Sequence, residues 1–167
     1  MSGSFVFLLH LVGFSLVSAM VVTGWILNNR FMNETDLSLK LYVGGISRVF
    51  VFLSPFTALL LLVSGIGNIY NLYYGTSVAW YEEGWLVIKV VLFGVMLVNG
   101  LIFGPIMSRK RMKVVQEMIE GGVNDSNTKQ LNDLNTQMRW FSLVQSVLLL
   151  GILFFSAFGT SKHPGYF

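Results

Sequence analysis

The stretch WLVIKVVLFGVMLVNGLIFGPIM, Trp85 to Met107, runs directly into Ser108-Arg109-Lys110-Arg111. Its 23 residues carry one formal charge, Lys89. At a rise of ~1.5 Å per residue, a helix of this length reaches about 34 Å, enough to cross the ~30 Å hydrocarbon core of a bilayer. Trp85 at one end and the basic cluster at the other are the anchors expected where a helix leaves lipid. The stretch reads as a membrane helix, not as the core of a water-soluble domain.

Three further blocks lie on either side of it. Phe5 to Leu27 holds no formally charged residue. Its Val17-Ser18-Ala19 is small-residue-rich like the end of a cleaved signal, but Met1 to Ser4 lack the basic residues that precede a signal's apolar run, so a retained helix is predicted. Val49 to Ile69 is entered through Arg48 and closed by Asn68, Tyr70, Asn71, Tyr73 and Tyr74, and the tyrosines mark an interface. Pro55 predicts a kink that neighbouring helices accommodate, and Gly65 and Gly67 predict close helix packing. The fourth block, Trp140 to Phe158, follows Arg139 and precedes a polar tail, Gly159 to Phe167, in which His163 is expected to face solvent.

Between the third and fourth blocks the helical rhythm continues through Lys113 to Glu120, with Met112, Val115, Met118 and Ile119 on one side. Gly121-Gly122 predicts its end, Asn124-Asp125-Ser126 a cap for the next helix, and Leu131, Leu134 and Met138 the way into the fourth span. The expected architecture is one domain, residues 1–167, an all-α, up-down bundle of four transmembrane helices at about 5–27, 47–72, 85–120 and 127–158.

Composition agrees with this. Of 167 residues, 54% are hydrophobic and 11% charged, against roughly 25% charged in soluble domains. The absence of cysteine removes disulfides, thiolate zinc sites, iron–sulfur clusters and cysteine nucleophiles. The net charge of +3 does not argue for a nucleic-acid partner, because the basic residues flank apolar blocks where topology explains them. Nothing resembles a nucleophile elbow, a phosphate-binding glycine loop or paired catalytic carboxylates.

Nine of the eleven basic residues, Arg30, Lys40, Arg48, Arg109, Lys110, Arg111, Lys113, Lys129 and Arg139, fall in the two loops of one face or at the adjoining helix ends. Positive-inside bias places those loops in the cytoplasm and both termini outside. Arg48 is expected at a phospholipid headgroup.

Ionisable groups inside membrane helices are few and often functional, which singles out His10 and Lys89. Each sits near the start of its helix, the two helices run the same way, and both residues therefore fall about one turn below the outer surface. A neutral imidazole is the usual axial ligand of haem iron, and Met96 is the candidate second ligand, ahead of Met20. The alternatives are a His10 hydrogen-bonded to a neighbouring helix and a Lys89 that snorkels to the interface, with Glu82 and Glu83 as partners. Asn99 and Gln145 fall at comparable depth and are expected to bond across the bundle, while Ser54, Thr57, Ser142 and Ser146 read as packing glue.

These features resemble the four-helix family that includes the HemJ type of bacterial protoporphyrinogen oxidase and the copper-resistance D-like membrane proteins. The resemblance rests on a histidine early in the first helix, on Ser54-Pro55-Phe56 opening the second helix with its glycine-bearing end, and on Gly84-Trp85-Leu86-Val87-Ile88-Lys89, similar to a Gly-Trp-Leu-His-x-Lys segment. It implies a bacterial inner (plasma) membrane protein with b-type haem, an oxidoreductase in which His10 binds the haem iron and Lys89 is catalytic. Val87 stands where the motif has histidine, Asn99 stands near where a second third-helix histidine is expected, and the aromatic Pro-Arg end of the first helix is absent.

The leading functional expectation is thus a redox-related haem or porphyrin site at His10, Lys89 and Met96. The alternative is a non-catalytic accessory or assembly subunit of a larger membrane complex. A transporter ranks last, because four helices with few interior polar groups need a homo-oligomer to enclose a pathway.

Overall fold

A computed structural model describes residues 3–162, with side chains described for 3–159; His163 lies outside the described residues. The chain forms α1 (Gly3–Asn33), α2 (Leu37–Tyr73), a short 3-10 turn (Trp80–Glu82), α3 (Gly84–Val98), a π turn (Asn99–Phe103), α4 (Gly104–Gly121) and α5 (Asp125–Lys162). There is no strand among the described residues. The α3, π and α4 segments make one continuous rod, so four rods run up, down, up and down, each long and apolar enough to cross a membrane.

Burial follows the bilayer rather than water. Phe52, Leu150, Phe154, Val147 and Ile26 are 60–70% exposed, whereas Thr57, Ser64 and Ser142 are buried. An apolar surface of this extent is unstable in water and ordinary in lipid. The protein is an integral membrane four-helix bundle.

Each rod outlasts its apolar block. α2 has 37 residues, about 55 Å of helix against ~30 Å of hydrocarbon. It is already helical at Leu37, because Asp36 caps it by accepting from the Ser38 and Leu39 amides. α5 opens on a reciprocal cap: Asn127 N–H donates to Asn124 Oδ1 and Asn124 N–H to Asn127 Oδ1, both at 2.9 Å. At the far end α5 continues to Lys162 through the segment predicted as tail.

Beyond the lipid the rods make a small core of their own, in which Phe31, Val43, Met112, Val114, Val115, Met118, Leu131 and Leu134 are buried together. The sequence pattern placed Ile119 on this face, but it is 43% exposed, and Val114 takes an inward place at 2%. From the level of Arg111 and Phe31, α4 continues ten residues to Gly121 whereas α1 ends two residues on at Asn33, so about two turns of α4 extend past the end of α1.

Around the bundle α1 packs on α2 and α5, α3 on α5, and α4 on both α2 and α5. The π turn explains the change of neighbours. Pro105 has no N–H to give Leu101 and crowds that carbonyl, so the helix widens there and Gly104 N–H bonds to Asn99 O five residues back. Gln145 of α5 docks on this widened turn, its Nε2 3.4 Å from Met96 O. Asn99 and Gln145 do not bond to each other; Asn99 Nδ2 and Gln145 Oε1 are buried without partners.

Candidate functional site

α1 and α2 approach closely because glycines face branched or planar side chains across the seam. A Cβ on Gly13 would stand 3.1 Å from Leu61 Cγ, and one on Gly67 would stand 2.8 Å from Val6 Cγ1. Between them His10 lies against Gly65, where a Cβ would meet its Cε1 at 3.4 Å.

The ring is held by Ser64, whose Oγ is 3.1 Å from His10 Nδ1. Ser64 is itself back-bonded, its hydroxyl 2.6 Å from Leu60 O. A serine has one proton to give, so with that proton on Leu60 O its oxygen accepts from Nδ1–H. The imidazole is then the tautomer whose lone pair lies on Nε2, the arrangement of a histidine oriented by a hydrogen bond from its other nitrogen. The serine that does this was missed in the sequence. Its signal was the adjacency to Gly65, which marked the seam.

Lys89 of α3 is half-buried and within electrostatic reach of His10, with no direct bond between the two. Glu83 accepts from the Trp85 indole at 3.1 Å, Glu82 is exposed, and no described carboxylate forms an ion pair with Lys89. Met96 lies deeper than His10, 5% exposed and packed among Leu149, Ile152, Phe14, Val17 and Val21. Met20, across the same interior, has its Sδ 3.6 Å from the Thr57 hydroxyl oxygen. Among the described residues no three His, Cys, Asp or Glu side chains cluster, so His10 is a single donor. One imidazole offers a single nitrogen donor.

A second feature had no place in the sequence reading. Below Met96 a cavity of about 190 Å³ runs along the bundle axis, bounded by all four rods and reaching Arg111 at the basic end. Its walls are largely apolar. Of its hydroxyls, Ser54, Thr57 and Ser142 donate to carbonyls of their own helices at 3.0–3.1 Å.

Comparison of the chain with protein-family models, with curated proteins and with solved structures finds no match to any of them.

Proposed function

We propose that this membrane protein binds a haem or porphyrin in the half of the bundle nearer its termini and serves a redox-related role there. The observation that supports the reading is the His10–Ser64–Leu60 chain, which engages imidazole Nδ1 and so assigns the ring's lone pair to Nε2. In this reading His10 would hold the iron of a b-type haem, and Lys89 would supply an ammonium for a propionate or another anionic oxygen of the ligand. A bound haem would supply one-electron chemistry at its iron. The chain's own part is to fix the ring, hold the carboxylate and exclude water, with Met96 closing the interior below.

The same reading puts the basic loops in the cytoplasm of a bacterial cell and both termini outside its inner membrane, on the charge asymmetry of the loops. The test is the visible absorbance spectrum of detergent-purified protein from haem-replete cells. A Soret band that disappears in His10→Ala is expected. A colourless wild type would overturn the haem reading and favour an accessory subunit whose solvent-facing stem, built on Val115 and Leu134, meets a larger complex. For Lys89, growth of a strain lacking protoporphyrinogen oxidase should be restored by the wild type and not by Lys89→Ala.

A further inference from the structure

The central cavity ends at the basic end on Arg111, which is 4% exposed. Its Nη1 donates to Asn28 Oδ1 at 2.7 Å, and its guanidinium lies over the Phe31 ring, 3.7 Å from Cζ to the centroid. Its Nη2 is buried with no hydrogen-bond partner. On the same ring lies a second cation, Lys40, 7% exposed, with Nζ 5.1 Å from the centroid and donating to Phe31 O at 2.8 Å. No described carboxylate pairs with either: Glu34, within electrostatic reach of Lys40, is held by Arg30 at 3.2 Å.

Two cations buried beside one aromatic ring are destabilising unless an anion joins them, and an orphaned guanidinium N–H adds to that penalty. The cavity above them has the opposite chemistry. Along α1 it extends from Phe31 to Val17, about 21 Å of helix, longer than the ~15 Å that is half of a ~30 Å hydrocarbon core. A bare anion would satisfy Arg111 and leave the apolar slot without an occupant. A neutral chain would fill the slot and leave the cations uncompensated. The geometry points to an anionic amphiphile: an acidic headgroup, carboxylate or phosphate, accepts from Arg111 Nη2 with Lys40 beside it, and one linear apolar chain lies in the cavity. This site is separate from His10 and stands or falls independently of haem binding.

The experiment titrates the full chain in neutral dodecyl maltoside micelles with dodecyl phosphate, palmitate, inorganic phosphate or dodecanol, and reads the melting temperature. Dodecyl phosphate and palmitate should raise it saturably, and inorganic phosphate and dodecanol should not. Arg111→Gln should weaken the amphiphile effect by about tenfold or more, as loss of a charge-assisted hydrogen bond predicts. Ser54→Leu, which narrows the slot far from Arg111, should weaken it as well, so the proposal stays testable if Arg111→Gln fails to fold. Lys110→Gln, on the exposed side of the same helix, should leave it unchanged. An equal effect of inorganic phosphate, an equal effect of dodecanol, or equal losses in Arg111→Gln and Lys110→Gln would each overturn the proposal. Mass spectrometry of lipid co-purified with the wild type separates the two sources: a bilayer phospholipid or a free acid supports the site, and neutral lipid alone contradicts it.

Discussion

Arg111 and Asn28, 83 positions apart in sequence, are joined by a 2.7 Å bond from Nη1 to Oδ1 that ties α4 to α1 across the basic end of the bundle. Both residues are buried, Asn28 at 7% and Arg111 at 4% exposure. Because α1 otherwise packs on α2 and α5, this contact closes the floor of the cavity from the opposite side.

Asn28→Ala should therefore remove the one side-chain acceptor of a buried cation. A loss of about 1.5–3 kcal/mol is expected, the range for hydrogen bonds to charged groups. Unfolding in a graded mixture of denaturing and mild detergent measures it, and a change below that of an exposed control such as Asn29→Ala would remove this bond from the account of stability.

Ser64→Ala should free the His10 ring. The stability change is expected to be small, about 0.6 kcal/mol as for interhelical hydrogen bonds in membranes. On the proposed haem-binding function, the larger effect falls on the imidazole: loss of the enforced tautomer should broaden or diminish the Soret absorbance of the purified protein. An unaltered spectrum would show that Ser64 does not orient the ligand.

The seam between α1 and α2 makes a contrast within one residue type. Gly13→Leu must displace Leu61 and Leu60, the nearest of whose atoms would lie 3.1–3.4 Å from the new Cβ, whereas a Cβ on the exposed Gly94 meets nothing within 4 Å. Overpacking at Gly13 should cost about 1–3 kcal/mol and Gly94→Leu close to none. Melting curves of the two variants in the same detergent decide it.

Asn127 accepts the Asn124 amide and donates to Gly122 O at 2.9 Å, closing the turn in which Gly122 adopts φ +84°. Asn127→Ala should cost about 1–2 kcal/mol, as for loss of an N-terminal cap. The effect should appear as faster hydrogen exchange at the start of α5, with the membrane half unchanged.

Orientation is testable because the chain has no cysteine. In intact cells Thr76→Cys should react with a membrane-impermeant thiol reagent and Ser126→Cys should react only after lysis. The reverse pattern would invert the topology, and with it the side from which an anionic amphiphile meets Arg111.

Lipid solvation made the four spans legible from residues alone. A helix that must satisfy its backbone inside hydrocarbon needs an unbroken apolar run, and Trp85 to Met107 between its anchors is such a run whatever packs beside it. The expectation that His10 and Lys89 share a depth came from the same source, since position along a spanning helix sets depth. Which residue faces which helix was not. Arg111 looked like one of three stop residues after Met107, although Ser108, Arg111, Met112 and Val115 recur at helical spacing and all turn inward. Arg109 and Lys110 beside them face out. Ser64 as the partner of His10, the diversion of Gln145 from Asn99 to the π turn, and the cavity over Arg111 depend on how four rods are rotated about their axes and where Pro105 widens one of them. Rotation is set by the sum of contacts with neighbours far away in the chain, and only the folded bundle supplies those neighbours.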